Sequence, residues 1–116
     1  MNPMRYQLSD LDSLPEKPVR TRDEAIGAIR RVCSSFPSVR RGAIFGSFAR
    51  GEQGPDSDID VVLAYDDSVD YRVMADVGYE PVRTCGRDVD CLTFLKGVPK
   101  YVVNGIKSDG AVVYAR

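Results

Sequence analysis

The stretch GAIFGSFARGEQGPDSDIDVVLAY, residues 42–65, contains two apolar segments joined by a polar connection. GAIF, Gly42 to Phe45, is a short apolar run followed by a glycine, which is typical of a buried strand. IDVVLAY, Ile59 to Tyr65, is apolar and β-branched, and aspartates flank it on both sides. We therefore predict two strands here, with FARGEQ forming one helical turn and GPDS forming a loop between them.

The sequence on either side predicts further helices and strands. TRDE, Thr21 to Glu24, matches a capping box, and apolar residues follow it at helical spacing. This pattern predicts a helix that continues to about Ser35 and ends before Pro37. Downstream we predict a helix, a strand, a helix and a strand in that order: Ser68 to about Arg83, Asp88 to Phe94, Lys100 to Lys107, and Ala111 to Ala115.

Gly78 and Pro81 argue against a regular second half of the Ser68–Arg83 helix, because both residues disfavour a helix interior. The complete order, α-β-β-α-β-α-β, still indicates one arrangement. We predict a layered α/β (α+β) domain in which helices pack on a small mixed sheet.

Length and composition indicate one globular domain. The chain has 116 residues, of which 43% are hydrophobic and 28% are charged. We predict an N-terminal arm over residues 1–20 and a single domain over residues 21–116. No apolar run reaches the length of a membrane span, the N-terminus lacks a signal-peptide core, and the three cysteines show no C-x-x-C spacing. These features predict a cytoplasmic protein with free thiols and no membrane partner.

Carboxylates are concentrated at the start of two predicted strands. Because side chains alternate along a strand, Asp58 and Asp60 are expected on one face of the first strand, and Asp88 and Asp90 on one face of the second. If the two strands are neighbours, three carboxylates converge. Such a cluster repels itself, and Mg²⁺ would stabilise it because this ion prefers carboxylate oxygens, water and substrate phosphates as ligands.

The absence of histidine narrows the possible chemistry. The chain contains no histidine, which excludes Ser-His-Asp catalysis, a histidine general base and histidine-ligated metal sites. Oxygen-ligated Mg²⁺ is therefore the predicted ion.

Gly46, Ser47 and Arg50 carry groups that can bind a phosphate. Gly46 permits a close approach of the backbone to a ligand. The Ser47 hydroxyl and the amides beside it can donate hydrogen bonds to phosphate, and Arg50 can add a charge-assisted one. Together with the aspartates, these groups predict a nucleoside triphosphate bridged through metal to carboxylates, with in-line displacement at its α-phosphate.

Each part of this pattern also has a structural explanation. A Gly-Ser pair after a strand is more often a turn than a phosphate site. Asp88 could be a solvated charge at a strand end, and Arg50 could pair with Glu52 or Asp56. The complete arrangement arises by chance far less often than any of its parts.

A calcium-binding loop is a further alternative, with Asp56, Asp58 and Asp60 as its first, third and fifth positions. The sixth position of such a loop is glycine and the twelfth is glutamate, but this chain has Val61 and Asp67 there. Apolar residues also occupy the middle of the segment, so we reject this alternative.

The pattern Gly46-Ser47, ten intervening residues, then Asp58-Ile59-Asp60 resembles the signature of nucleotidyltransferases of the DNA polymerase β superfamily. The stretches GSFARGE and SDIDVVL are especially similar to the minimal nucleotidyltransferases, MNT-domain proteins that are often paired with HEPN-domain partners as antitoxins. GRDVDCLTF resembles a later strand of that family. The similarity covers roughly residues 25–116.

This resemblance implies a polymerase-β-like fold and a Mg²⁺-dependent transfer of a nucleotide, most often AMP from ATP, to a hydroxyl. It implies three catalytic and metal-binding carboxylates, the third of which is Asp90 rather than Asp88: Asp58, Asp60 and Asp90. The predicted nucleotide-binding residues, the first two of which would hold the triphosphate, are Gly46, Ser47, Arg50 and Ser57.

Little chain remains after the predicted sheet to build an acceptor pocket, so we expect a partner protein to supply the acceptor. The resemblance implies a HEPN-type toxin that is adenylylated on a tyrosine or a similar hydroxyl, within a homo- or hetero-oligomer. Two alternatives stay open: an aminoglycoside-type nucleotidyltransferase acting on a small molecule, and a non-catalytic module that neutralises its partner by contact. Nucleic acid is not an expected partner, because the arginines form no dense basic and aromatic patch.

Overall fold

The computed structural model describes residues 18–95 and 97–116. Most of the predicted N-terminal arm, residues 1–20, lies outside this part of the chain. The described elements follow one another as α1 (Arg22–Ser35), β1 (Val39–Phe45), α2 (Gly46–Arg50), β2 (Ile59–Tyr65), α3 (Tyr71–Cys85), β3 (Val89–Phe94), α4 (Lys100–Asp109) and β4 (Ala111–Ala115).

Helix α1 begins with the capping box that its sequence predicts. The Thr21 side chain accepts a hydrogen bond from the Glu24 backbone N–H at 3.1 Å, and the Glu24 carboxylate accepts one from the Thr21 N–H at 3.2 Å. These two bonds satisfy amides that have no partner within the helix. The helix ends at Ser35, just before Pro37, as predicted.

The four strands form one mixed sheet in the order β3-β2-β1-β4. β1 pairs antiparallel with both β2 and β4, whereas β2 and β3 are parallel. A parallel pair requires a crossover connection, and the chain makes it through α3. The predicted small mixed sheet with packed helices is therefore confirmed.

The two faces of the sheet differ in what covers them. The face that we call the buried face packs against α1 and α3, and its residues belong to the main apolar cluster: Ile44, Ile59, Val61, Leu63 and Tyr65. The opposite side, which we call the open face, carries the alternate residues of the same strands: Phe45, Asp60, Val62, Asp90 and Leu92. Helix α4 lies over the part of the open face formed by β1 and β4.

Several elements differ in extent from the prediction. α2 covers Gly46–Arg50 rather than FARGEQ, α3 begins at Tyr71 rather than Ser68, β3 begins at Val89 rather than Asp88, and α4 ends at Asp109 rather than Lys107. β1 starts at Val39 rather than Gly42, because fully buried Val39 pairs with Tyr65 across the hairpin, and the two charged residues that follow it are exposed. Helix α3 continues through Gly78 and Pro81 to Cys85. Pro81 is fully buried, so apolar packing compensates for the backbone hydrogen bond that proline cannot donate.

Packing also includes residues that precede α1. Val19 is buried, and its backbone N–H donates a hydrogen bond to the Cys85 carbonyl at 2.8 Å. This contact ties the segment before α1 to the end of α3. None of the helices in the described ranges has the length and apolar character needed to cross a membrane.

Candidate active site

Two aspartates lie side by side on the open face at the start of β2 and β3. In the parallel register, Asp60 is directly opposite Asp90. Neighbouring strands are about 4.8 Å apart, and partners in a parallel register project to the same face, so these two carboxylates are close neighbours. Asp58 lies just before the first residue of β2 and is exposed.

The charges of the other two aspartates act on the carboxyl group of Asp60. Burial raises the pKa of Asp60 above its usual value, and the negative charges of Asp90 and Asp58 raise it further. Arg50 acts in the opposite direction. Asp60 is therefore the residue at which the cost of gathering negative charge is concentrated.

The register also distinguishes Asp90 from Asp88. Asp88 is exposed, and its backbone carbonyl accepts a hydrogen bond from the Ile59 N–H at 3.0 Å, so its main chain helps to align the start of the two strands. The residue opposite Asp60 is Asp90. The geometry therefore favours Asp90 as the third member of the carboxylate group.

The aspartate oxygens of the site are suitable ligands for a hard divalent cation, but they are not arranged as a complete set of ligands. Among residues 18–95 and 97–116, no three carboxylates or thiols are arranged as a ready set of ligands. The groups that do meet are oxygen donors, and a cation would offset the burial and the neighbouring negative charges that raise the pKa of Asp60. This chemistry fits Mg²⁺, which keeps several waters and shares few carboxylates with substrate phosphates.

The cysteines offer no competing metal site. Cys33, Cys85 and Cys91 are free thiols, as predicted. Burial raises the pKa of Cys33 to about 12 and the pKa values of Cys85 and Cys91 to about 11. Burial therefore disfavours the thiolate in the metal-free protein, and no group of three potential ligands among residues 18–95 and 97–116 includes a cysteine.

Gly46 connects the carboxylates to the predicted phosphate-binding segment. Its φ angle is 73°, a left-handed conformation that favours glycine. A Cβ atom at this position would also collide with Oδ2 of Asp60. Glycine is thus required here both by the backbone angle and by the space that the carboxylate occupies.

The two serines of the prediction have different surroundings. Ser47 is half-buried in α2, directly after Gly46. Ser57 directs its hydroxyl into its own loop, where it accepts a hydrogen bond from the Gly54 N–H at 2.8 Å. The loop therefore already uses the Ser57 hydroxyl, and a role for this residue in nucleotide binding stays a prediction.

Arg50 forms an ion pair within its own segment, one of the alternatives that the sequence left open. Its Nε atom lies 3.0 Å from Oε2 of Glu52, and both side chains are largely exposed. This contact is the main reason that the pKa of Arg50 is raised; the more distant charges of Asp109 and Asp60 contribute in the same direction. An exposed pair of this kind is weak, so the guanidinium can exchange Glu52 for another anion at little cost.

Arg87 is a residue that the sequence reasoning missed. Its Nη1 atom donates hydrogen bonds to the Ser57 carbonyl at 2.8 Å and the Pro55 carbonyl at 3.3 Å. The guanidinium carbon lies 5.0 Å from the centre of the Phe48 ring. One side chain thus joins α2, the loop that leads to Asp58, and the start of β3; the only signal in the sequence is its position directly before DVD.

Comparison with known proteins agrees with this geometry. The sequence profile of the polymerase beta nucleotidyltransferase family matches residues 28–116. The chain belongs to this family. A protein of Methanocaldococcus jannaschii that is provisionally named a protein adenylyltransferase is 38% identical over 56 residues, which are 48% of this chain and 60% of that relative. The match therefore spans less than two thirds of the relative.

Solved structures share the fold of this chain. A chain from a toxin–antitoxin crystal structure with AMP-PNP superposes with a TM-score of 0.63 at 18% identity, covering 78% of this chain and 73% of that chain. A chain from the complex of a tri-AMPylated Shewanella oneidensis HEPN toxin with its MNT antitoxin superposes with a TM-score of 0.59 at 14% identity, covering 83% and 74%. The polymerase-β-like fold that the sequence predicted is confirmed.

Proposed function

We propose that the protein transfers AMP from ATP to a hydroxyl on a HEPN-type partner protein in a Mg²⁺-dependent reaction. Through this modification the protein acts as an antitoxin. One observation carries most weight. Asp60 and Asp90 are register partners on neighbouring strands, and the left-handed Gly46 lies against the Asp60 carboxylate. This arrangement supports a metal site and a phosphate site that lie next to each other.

The chain's own residues would have separate tasks in this reaction. Asp58, Asp60 and Asp90 would hold Mg²⁺, which supplies charge neutralisation at the phosphates and at the attacking oxygen when bound. Gly46 and Ser47 would hold the triphosphate with backbone amides and a hydroxyl. The α-phosphorus then transfers from the leaving pyrophosphate oxygen to the acceptor oxygen, and the acceptor hydroxyl loses its proton.

Support for a protein acceptor comes from similar proteins. The M. jannaschii relative is provisionally named a protein adenylyltransferase, and one superposing structure contains an AMPylated HEPN toxin with an MNT antitoxin. A shared fold at low identity does not carry the acceptor over, so the acceptor is part of the proposal.

The test is a transfer assay with purified HEPN-type partner, ATP and Mg²⁺, followed by intact-mass measurement of the partner. We expect a mass increase of one or more AMP groups with the wild-type chain and none with the double variant Asp58→Asn, Asp60→Asn. Asp67→Asn is the matched control, because Asp67 is an exposed aspartate just beyond β2. An unmodified partner at stoichiometric wild-type protein would contradict the proposal.

A non-catalytic module that neutralises its partner by contact is a second candidate, which the exposed apolar residues of the open face favour. Leu92 is 41% exposed and Val112 is 63% exposed. The double variant separates the two functions in a toxicity assay in cells. Undiminished protection by the variant would support the contact mechanism, and lost protection with retained partner binding would support transfer.

A further inference from the structure

We propose that a cavity between α4 and the open face binds the nucleobase of the nucleoside triphosphate. This inference rests on the proposed nucleotide transfer and adds to it the part of the protein that recognises the nucleotide's aromatic end. It follows from the lining of the cavity, from its position beside the carboxylates, and from the distribution of charge around it.

The lining of the cavity suits a flat apolar group. Its volume is about 290 Å³. One wall is a single face of α4 with Tyr101, Val102 and Ile106, and the opposite wall contains Phe45 and Leu92. Cavities with aromatic and aliphatic walls and few polar groups are typical of small-molecule sites, and a nucleobase stacks well on a tyrosine or phenylalanine ring.

The cavity lies beside the carboxylates, and Gly46 of the predicted phosphate-binding segment is part of its lining. Phe45 is the register partner of Asp60 in the β1–β2 pair, and Leu92 follows Asp90 by two positions on the same face of β3. A triphosphate held at Gly46 therefore has an apolar space immediately beside it, into which the base at its other end can extend.

The distribution of charged residues around the cavity indicates where each end of a nucleoside triphosphate would bind. Two charged residues, Arg50 and Asp109, are among the lining residues, and the others are glycine, aliphatic or aromatic. A phosphate among the apolar walls would lose its hydration without compensation, whereas a base would not. The triphosphate is thus directed to Gly46 and the carboxylates, and the base to the cavity.

Gly105 is a residue of α4 that lines the cavity and has no side chain. It lies inside the helix, a position that disfavours glycine because of its backbone freedom. A Cβ atom at this position would meet nothing within 4 Å. A side chain can therefore be added at this exposed lining position without a collision at its Cβ atom, which makes residue 105 a suitable place to test the cavity.

The experiment measures the affinity of the full chain for two probes, ATP and inorganic tripolyphosphate, each with Mg²⁺, by isothermal titration. We expect wild type to bind ATP more tightly than tripolyphosphate. Gly105→Phe and Tyr101→Ala should each weaken ATP binding about tenfold or more, since stacking on an aromatic side chain is lost or blocked. Gly105→Ala and Tyr101→Phe, the matched controls, should bind ATP within about twofold of wild type.

Tripolyphosphate shows whether an effect is local, because it has no base. Its affinity should be the same in all four variants, and a thermal scan should show that each one is folded. Unchanged ATP affinity in folded Gly105→Phe would overturn the inference, as would equal wild-type affinity for the two probes. A cavity that instead receives an apolar side chain of a partner protein would give the first of these outcomes.

Failure of the proposed function would look different. Asp60→Asn should weaken both probes, because it acts on the metal and phosphate region. A wild-type chain that binds neither probe would overturn nucleotide transfer together with this inference. If Asp60→Asn weakens ATP binding but Gly105→Phe and Tyr101→Ala do not, the base-binding cavity alone is overturned.

Discussion

The buried face and the open face are built from alternate residues of the same strands, yet they contribute differently to the protein. On β2, Ile59, Val61 and Leu63 are at most 1% exposed and pack against α1 and α3. Asp60, between the first two of them, faces the carboxylate of Asp90 and has a raised pKa because of burial and repulsion. The buried face therefore stabilises the fold, whereas the aspartates gathered on the open face reduce its stability.

The largest effect should come from removing the same side chain on each face. Leu63→Ala should lower the free energy of unfolding by about 2–5 kcal/mol, because Leu63 is fully buried and truncation leaves a cavity. Leu92→Ala should lower it by less than about 1 kcal/mol, since Leu92 is 41% exposed. Urea denaturation curves of both variants provide the measurement. Similar losses for the two leucines would contradict the distinction between the faces.

A smaller loss of stability is expected at Gly46, where the predicted phosphate-binding segment contacts the open face. Gly46→Ala should lower the free energy of unfolding by about 2–3 kcal/mol, since it adds left-handed strain and a collision with Asp60. Gly51→Ala is the matched control: its φ is also 73°, but a Cβ there meets nothing within 4 Å. Strain alone should cost it about 1 kcal/mol. Thermal unfolding measures both, and equal losses would mean that the Asp60 contact is unimportant.

The smallest expected effect is a gain in stability rather than a loss. Asp60→Asn should raise the free energy of unfolding of the metal-free protein, by less than about 1 kcal/mol, because it removes a repelled carboxylate. Asp66→Asn is the control: hydrogen bonds from Ser68 lower the pKa of Asp66, so its charge is favourable and its loss should destabilise. A lower melting temperature for Asp60→Asn without Mg²⁺ would contradict a strained carboxylate group.

The pKa of Asp60 is raised and that of Asp66 is lowered, so the contributions of these two residues to stability should depend on pH in opposite directions. A carboxyl whose folded pKa is raised binds protons better in the folded state, so its contribution to stability declines as pH rises from about 3.9 through its folded pKa. The benefit of Asp60→Asn should therefore be present at pH 7 and vanish below about pH 3.9. Asp66 has a lowered pKa, so its contribution is present above that value and is lost on acidification. Melting temperatures between pH 3 and pH 7 would show both trends.

Local patterns predicted much of the fold. β2 and β4 have the boundaries that were predicted, because each is a β-branched apolar run: aspartates flank β2 on both sides, and the turn at Asp109-Gly110 precedes β4. The capping box at Thr21 was equally clear. Pro81 was harder to interpret, because its cost in a helix is local whereas the packing that compensates for it depends on tertiary structure.

The candidate site was predictable only where the spacing of residues determines their geometry. Alternation on a strand placed Asp90 on the same side as Asp60 once the two strands were neighbours. Arg87 could not be predicted in this way, because its contacts with Ser57 and Phe48 depend on the direction of a long side chain across three segments. Asp58 was expected to share a strand face with Asp60, but it precedes the first residue of β2, so strand alternation does not determine where its side chain lies.

The parallel pairing of β2 with β3 has a consequence for how the protein matures. A nascent chain that has emerged only as far as β2 already contains Gly46 and both early aspartates, but Asp90 arrives only after the crossover through α3 has closed. Contacts so distant along the chain form late in folding, because closing the intervening loop costs entropy before the contacts compensate for it. Competence to bind nucleotide should thus lag behind helix formation during refolding, and newly made molecules would be inactive for that interval.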